Sequence, residues 1–295
     1  MMILVTGATG SIGRPLVRRL RQQNQPFRAL VRTPERGRDL DCEVVVGDFD
    51  DPASIETALA GIEQVFLCSP GAEPTPGQQP MIAQQTTVID AAVRAGVRRI
   101  VKISVLGARP GGLLAEGAHA EIEARLEASG LDWTIVRPSG FMQNFLTGAG
   151  AFTSGGDLIG AYGQGRVSYI DCVDIAACAA VLLGDDLGNR QRFVLTGPEA
   201  LTHTEIADTL SEAVGRTISY IDRPPAEFAD NLTAQGLPAS FAADVASLYE
   251  GVANGSAAEI TSVVGDLTGR SATTFADFLA RERELLRQWP PQHYR

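Results

Sequence analysis

The chain has 295 residues, of which 44% are hydrophobic and 20% are charged, so its composition is that of a globular and not a disordered protein. Its formal net charge is -10 and its basic residues are scattered, which argues against a nucleic-acid-binding or anionic-membrane surface. A phosphate ligand must therefore be held by local geometry and not by an overall positive field.

The start of the chain runs from a short apolar stretch into a glycine loop, without the basic and apolar segments of a signal peptide. No apolar run approaches the length of a membrane span. The four cysteines, Cys42, Cys68, Cys172 and Cys178, lack metal-ligand spacing. We expect them to be reduced and mostly buried, and we expect a cytoplasmic protein without a metal site.

The first half alternates short β-branched runs with amphipathic stretches, which is the pattern of βαβ units. The runs predict strands at Ile3–Thr6, Phe27–Val31, Glu43–Val46, Gln64–Cys68, Ile100–Ser104 and Thr134–Arg137. Apolar residues at helical spacing predict helices at Arg14–Gln23, Pro52–Ala60 and Pro80–Ala95. The expected fold is therefore α/β, a doubly wound parallel sheet of the Rossmann type.

The pattern changes after residue 138, where a glycine-rich stretch at 148–165 precedes a helix over Val173–Leu183 and a strand at Phe193–Leu195. Thr202 and Glu205 have capping-box spacing and predict a helix to Val214. A strand at Ile218–Ile221 and three helical stretches follow, the last at Phe275–Gln288. We expect a dinucleotide-binding domain at 1–138 and a smaller α/β substrate lobe at 139–295, some of whose elements return to the first core.

The segment Gly7-Ala8-Thr9-Gly10-Ser11-Ile12-Gly13 lies between the first predicted strand and the first predicted helix. In such a loop the first glycine permits a tight turn, the second lets the backbone approach a pyrophosphate, and the third allows close helix packing. The helix N-terminus adds unpaired N–H groups and a partial positive charge. The placement predicts dinucleotide binding by Gly7, Thr9, Gly10, Ser11, Ile12 and Gly13; a loop that serves packing alone is the alternative.

Arg32 occupies the end of the second strand, where a site that prefers NAD usually carries an acidic residue on the ribose 2′-hydroxyl. A carboxylate would repel a 2′-phosphate, whereas a guanidinium can bind one through two hydrogen bonds. The position predicts NADP(H) in preference to NAD(H). A solvated surface arginine is the alternative.

Two further segments end strands at the edge where such cofactors bind. Asp48 and Phe49 follow the third strand and are expected beside the adenine, although Asp48 could equally form a turn or cap the next helix. Cys68, Ser69 and Pro70 follow the fourth strand and are expected near the ribose on the nicotinamide side.

The sequence resembles the NmrA-like, atypical short-chain dehydrogenase/reductases, a family that includes triphenylmethane dye reductases and NADPH:quinone reductase-like proteins. Besides the glycine loop and Arg32, the matching segments are Val101–Ser104, His119–Glu123, Ser129–Pro138, Phe141–Asn144, Asp174–Ala176, Leu195–Leu201 and Glu205–Ala207. The resemblance covers nearly the whole chain. It implies an NADPH-dependent reductase, or a catalytically silent NADP(H) sensor that binds a partner protein, since the family contains both.

The Tyr-x-x-x-Lys pair of ordinary short-chain dehydrogenases cannot form here, because Lys102 is the only lysine and every tyrosine follows it. In NmrA-like relatives the position of His119 is often His or Lys, and a histidine there could donate a proton. Ser104 could hydrogen-bond the nicotinamide amide or the substrate, and Lys102 lies on the same strand face and is counted among the cofactor-binding residues. Structural roles for His119 and Ser104 are the alternatives.

Quinone-like, enone-like or dye-like acceptors need little proton chemistry, because hydride arrives at a conjugated carbon and the product anion is delocalised. Phe141, Met142, Phe145 and Tyr169, with Phe152, would suit a flat aromatic acceptor, or they are ordinary core between the lobes. The expected partner is a small-molecule acceptor, without nucleic acid or membrane, and the expected state is a monomer or homodimer.

Overall fold

The computed structural model describes residues 1–75, 77–147, 152–184, 187–287 and 289–290. Its strands, in chain order, are β1 (Ile3–Val5), β2 (Phe27–Val31), β3 (Val44–Val46), β4 (Gln64–Leu67), β5 (Arg99–Ile103), β6 (Asp132–Pro138), β7 (Leu158–Gly160), β8 (Arg166–Val167), β9 (Gln191–Leu195), β10 (Leu201–Thr202) and β11 (Tyr220–Asp222). Seven of them form one parallel sheet in the order β3-β2-β1-β4-β5-β6-β9. The predicted doubly wound parallel sheet is confirmed.

The described residues form twelve α-helices, some of which pack on the two faces of this sheet. They are α1 (Gly13–Gln22), α2 (Pro52–Ala58), α3 (Pro80–Arg94), α4 (Ala115–Glu127), α5 (Asn144–Thr147), α6 (Cys172–Gly184), α7 (His203–Val214), α8 (Pro225–Ala234), α9 (Ala239–Ala253), α10 (Val263–Thr268), α11 (Phe275–Arg281) and α12 (Arg283–Leu286), with a 3-10 helix at Pro34–Gly37. Helices α1 and α6 contribute to the core on one face, and α2, α3 and α4 to the core on the other.

The strand residues alternate between these two cores. Ile3 and Val5 of β1 face the α1 and α6 side, whereas Leu4 faces α2 and α3. Because both faces are covered, the strands of the first half are mostly apolar and do not strictly alternate apolar with polar residues. This is why the strands of the first half could be recognised from the sequence.

The second half of the chain divides its elements between two places. Strand β9 pairs with β6, and α6 packs against α1, so both join the large sheet although they follow residue 138. Helix α10 likewise packs against α6 and β9, and the remaining elements form a smaller lobe with two short sheets, β10-β8 and β11-β7. A core in this lobe, centred on Phe145, Leu210 and Phe278, joins α5, α7 and α11. In the described part of the chain, no helix combines the length and apolarity that crossing a membrane requires.

Several predicted boundaries move in the structure. The capping box of Thr202 and Glu205 is present as predicted. The strand predicted at Ile218–Ile221 instead occupies Tyr220–Asp222, because the N–H and carbonyl of Ile218 are both bonded to the Ser211 hydroxyl. The predicted helix Phe275–Gln288 is wrong as a single element: α11 stops at Arg281 and α12 begins at Arg283. Residue 288, and 148–151 of the glycine-rich stretch, lie outside the described residues.

Candidate cofactor and active site

A cleft of about 440 Å³ opens at the carboxyl ends of β1, β2, β3 and β4. Strand order reverses between β1 and β4, and ligands of open α/β sheets bind outside the strands at such a point. The predicted loop residues all line the cleft, namely Gly7, Thr9, Gly10, Ser11, Ile12 and Gly13. Ligand-sized space therefore lies where the sequence predicts a dinucleotide.

The glycine loop is shaped by close backbone contacts. Gly7 has φ of +61°, a conformation that side-chain-bearing residues rarely adopt. A Cβ on Gly13 would lie 2.1 Å from the carbonyl oxygen of Gly7, so only glycine fits where α1 begins. The backbone N–H groups of Ser11 and Ile12 have no acceptor among the described residues. The loop thus offers N–H groups to an anionic ligand at the positive end of α1.

Two arginines line the cleft beyond the loop. Arg32 follows β2, and Arg36 lies in the 3-10 helix behind it. Within the part of the chain that the structure describes, neither guanidinium has an ion pair or hydrogen bond. Both donors are therefore free for a phosphate. Arg36 was missed because its helix is short and the Arg-rich segment around it resembles an ordinary exposed loop.

The other wall of the cleft carries acidic and amide groups. Asp48 and Phe49 line it as predicted, and Oδ1 of Asp48 accepts from the N–H of Asp50 at 3.1 Å. Asp48 is thus a turn former that also faces the cleft, whereas the cap of α2 is Asp51. Asp50 and Gln84 were not predicted; the Gln84 amide donates to Oδ2 of Asp50 at 3.1 Å across the rim.

The segment after β4 forms the end of the cleft. Cys68, Ser69 and Pro70 all line it. Thr6 Oγ1 accepts the N–H of Cys68 at 2.9 Å and so ties this segment to β1. The fully buried Gln85 donates to Ser69 Oγ at 2.7 Å. Burial raises the pKa of the Cys68 thiol to about 11, although the charge of Lys102 acts to lower it. The thiol is therefore protonated at neutral pH.

None of the three residues Lys102, Ser104 and His119 lines this cleft. They form a buried polar layer between β5 and α4. Lys102 Nζ lies 2.8 Å from Nδ1 of His119 and donates to the carbonyl of Ile103 at 3.0 Å. Ser104 donates its hydroxyl proton to Glu123, whose carboxylate also accepts from Arg137 Nε at 3.0 Å. Ser104 therefore cannot give the same proton to a ligand. Glu123 was matched to the family by sequence but given no role.

The protonation states of this layer follow from burial. Desolvation lowers the pKa of Lys102 to about 7, against the charge of Glu123, which raises it. Desolvation, with the charge of Lys102, lowers the pKa of His119 to about 2. Burial acts to raise the pKa of Glu123, but the hydrogen bonds from Arg137 and Ser104 and the nearby positive charges lower it overall. At neutral pH, His119 is therefore neutral and Glu123 ionised.

The residues predicted to bind an acceptor lie in different parts of the structure. Phe141 lines the cleft. Met142 and Phe145 are 1% and 3% exposed and belong to the core of the smaller lobe, and Phe152 packs against Trp289. Tyr169 contacts Phe145 edge-on, with ring centroids 4.9 Å apart. Of this group, only Phe141 reaches the cofactor cleft.

An aromatic cluster adjoins Tyr169, and it was missed because its members are far apart in sequence. The rings of Tyr162 and His203 stack at 3.6 Å, and Tyr249 stacks on the other side of Tyr162 at 3.9 Å. Tyr169 Oη lies 3.1 Å from Nε2 of His203, whereas the buried Nδ1 of His203 has no partner in the described residues. Desolvation lowers the pKa of His203 to about 4, against the charge of Asp222.

Comparison with known proteins agrees with this geometry. Residues 7–186 match the family described as NAD(P)H-binding. NAD(P)H azoreductase of Xenophilus azovorans is 36% identical over 94% of this chain and 96% of its own. The NADPH-dependent quinone oxidoreductase of Escherichia coli in complex with NADPH superposes with a TM-score of 0.83 at 30% identity, over 95% of this chain and 99% of its own.

A third known structure is also similar to this chain. The Citrobacter sp. triphenylmethane reductase in complex with NADP(H) superposes with a TM-score of 0.80 at 25% identity, over 95% of this chain and 99% of its own. The glycine cradle, the unpaired N–H groups and the two free guanidiniums fit such a cofactor. The chain belongs to the NAD(P)H-binding family of NmrA-like, atypical short-chain dehydrogenase/reductases.

Proposed function

We propose that the protein is an NADPH-dependent reductase of flat conjugated acceptors of the quinone, azo, enone or dye class. The observation that carries this proposal is the cleft itself, which joins a glycine cradle and two free arginines to the aromatic side chain of Phe141. The named activities of its relatives, azo, quinone and triphenylmethane reduction, share one kind of acceptor: a delocalised π-system.

In this proposal the loop N–H groups hold the pyrophosphate, and Arg32 with Arg36 holds the 2′-phosphate. Asp48 and Phe49 contact the adenine, and Cys68 to Pro70 contact the nicotinamide half. When bound, NADPH would supply a hydride to the conjugated acceptor. The cleft positions the two reactants against each other, and this positioning provides much of the rate enhancement.

His119 is the proposed proton donor for acceptors that need a proton. It lies on α4 beside the carboxyl end of β5, and its pKa keeps the ring neutral at physiological pH. Ser104 contributes differently: because its hydroxyl proton is held by Glu123, its oxygen can only accept, for example from an amide N–H of the ligand. Lys102 does not line the cleft and is proposed to act through its contact with His119.

The aromatic acceptor is proposed to lie against Phe141, with Tyr169 behind it. A Cβ on Gly140 would lie 2.6 Å from the Tyr169 ring, so glycine at this position lets Tyr169 pack against the backbone that precedes Phe141. Phe141→Ala should raise KM for aromatic acceptors and leave NADPH affinity nearly unchanged. Phe152→Ala, at a ring that packs against Trp289 and does not line the cleft, is the matched control for loss of an aromatic ring.

The test is NADPH oxidation, followed by absorbance, with quinones, azo compounds, triphenylmethane dyes and enones as acceptors. Turnover of at least one class is expected, and it should fall in His119→Ala for acceptors that take up a proton. Tight NADPH binding without turnover of any acceptor would contradict the reductase proposal. It would favour the alternative within this family, a sensor that reports the cofactor to a partner protein.

A further inference from the structure

Lys102 and His119 form a buried pair whose geometry restricts the chemistry of the histidine. Their side-chain nitrogens are 2.8 Å apart, and Lys102 is fully buried while His119 is 6% exposed. A lysine ammonium has donors but no acceptor, so a hydrogen bond from Lys102 requires an unprotonated Nδ1 on His119. In the neutral ring the proton must then be on Nε2.

The other nitrogen of His119, Nε2, is not held in this way. In the described residues Nε2 forms no hydrogen bond, and it is absent from the buried side-chain atoms that lack a partner, which include Nδ1 of His203. Nε2 therefore keeps some solvent-accessible area. The pair thus presents one N–H outward, from a ring whose inner nitrogen is held by a cation.

We propose that Lys102 holds His119 in the tautomer that carries its proton on Nε2, and that it replaces this proton through Nδ1 once Nε2 has protonated the reduced acceptor. This inference rests on the proposed reductase function and adds the source of the proton. Lys102 touches neither cofactor nor acceptor in this account. It is a positioning residue that acts through His119.

The proton balance of this step is complete. The Nε2–H bond of His119 breaks as a bond forms between that proton and the acceptor anion left by hydride addition. At the same time a Lys102 N–H proton passes to Nδ1, so the ring stays neutral and never becomes an imidazolate. Lys102 is left as a neutral amine beside an Nδ1–H. After the product has left, a proton from solvent binds Nε2 and the Nδ1 proton returns to Lys102, which restores both the ammonium and the starting tautomer.

The surroundings of Lys102 suit this exchange. His119 and Glu123 face it from α4, the thiol of Cys68 from the end of β4, and Arg137 from β6, while Ser104 shares its strand face. Burial favours the neutral amine, and the ionised Glu123 limits that effect, which places the pKa of Lys102 at about 7. Such a group can lose and regain a proton near neutral pH.

The acceptors provide a direct test, because they differ in their need for a proton. A triphenylmethane dye is a cation, so hydride addition alone gives the neutral leuco form. A quinone or azo compound requires one proton with each hydride. Lys102→Met, which keeps the length of the side chain without its charge, should lower kcat for a quinone by about 100-fold. It should leave kcat for a cationic dye unchanged.

A second readout requires no turnover. In the ¹⁵N-labelled, cofactor-free protein, the imidazole spectrum of His119 should show the proton on Nε2 below about pH 7 and should change as Lys102 titrates. Lys102→Met should remove that titration. Arg125→Ala, which breaks the exposed ion pair of α4 with Asp90, is the control for disturbance of the helix.

Each outcome either supports the proposal or overturns it. A proton on Nδ1 in the unmutated protein, or a His119 spectrum that does not respond to Lys102, would overturn it even if Lys102→Met fails to fold. An equal loss of quinone and dye turnover would show that Lys102 serves structure alone, and would also overturn it. If neither acceptor is reduced, the reductase function fails, while the imidazole spectrum still decides whether Lys102 sets the tautomer.

Discussion

Ser104 and Glu123 are joined by a hydrogen bond from the serine hydroxyl to the carboxylate at the end of β5. The same carboxylate, 3% exposed, accepts from Arg137 on β6 and from Arg192 on β9, the latter at 3.3 Å. One buried charge on α4 therefore connects three neighbouring strands below the proposed proton donor. The two guanidiniums compensate the buried carboxylate charge, and both are themselves partly exposed.

Glu123→Gln should destabilise the fold, because it removes the anion from a buried site that holds two cations. Loss of one partner of a buried ion pair costs about 3 kcal/mol. The free energy of unfolding, measured with denaturant, should fall by that order. Glu127→Gln is the control, since Glu127 pairs with Arg192 but is 32% exposed, and it should cost less than about 1 kcal/mol. Equal losses in both variants would contradict this account.

The stability should also depend on pH through Glu123. Its pKa in the folded protein lies below the ordinary 4.5, so the unfolded chain binds the proton more readily. The stabilisation is complete above pH 4.5 and is lost as pH falls through the lower folded-state value. Unfolding measured across the acid range should show a shallower loss for Glu123→Gln than for the unmutated protein.

His203 predicts a second acid-sensitive range at higher pH. Its pKa falls from 6.5 to about 4 on folding, so stability is complete above pH 6.5 and falls between these values as the unfolded chain takes up the proton. The loss amounts to roughly 3 kcal/mol. His203→Phe retains a ring beside Tyr162 and should remove this part of the pH dependence. An unchanged slope of unfolding free energy against pH would contradict the burial of a neutral ring.

Gly13→Ala should abolish NADPH binding, because its Cβ would overlap the carbonyl oxygen of Gly7 and force the phosphate loop to move. Overpacking of this kind also costs roughly 1–3 kcal/mol of stability. Fluorescence titration with NADPH measures the first effect and denaturation the second. Gly184→Ala, where a Cβ meets only an amide nitrogen at 3.9 Å, should bind NADPH normally.

Arg32→Ala and Arg36→Ala should each weaken NADPH binding and leave NADH binding nearly unchanged, since only NADPH carries the 2′-phosphate. A hydrogen bond between charged groups contributes about 1.5–3 kcal/mol, equivalent to roughly a tenfold to hundredfold change in Kd. Arg38→Ala is the matched control, because Arg38 lies on the same short segment but outside the cleft. Equal affinities for NADPH and NADH in the unmutated protein would contradict the role of both arginines.

The strands of the parallel sheet and the phosphate loop could be predicted from the sequence because each leaves a pattern within a short segment. Val101 and Ile103 sit in one core and Ile100 in the other, and this two-sided burial is visible as a continuous apolar run. The turn at Gly7 and the close packing at Gly13 lie within one short segment. The role of Arg32 could be predicted because it directly follows the predicted second strand, Phe27–Val31.

The contacts of the candidate site could not be predicted from the sequence where its side chains come from separate helices and strands. Lys102 and His119 are 17 residues apart and Glu123 and Arg192 are 69 apart, and no local pattern predicts that these pairs meet. The assignment of Met142 and Phe145 shows the same limit, since an apolar side chain suits a pocket wall and a core equally. Only the packing of α5 against α7 and α11 places them in the core.

The sequence by itself thus determined the strands, the cofactor loop and the NADP(H) preference expected from Arg32, because apolar runs and turn conformations are set over a few residues. Strand pairing, such as that of β1 with β4, joins residues far apart in the chain. The tertiary structure decided which polar groups lose their water. Burial sets the charge of Lys102, keeps His119 neutral and commits the Ser104 proton to Glu123. These are properties of the surroundings that the folded chain creates, and so they determine the chemistry of the site.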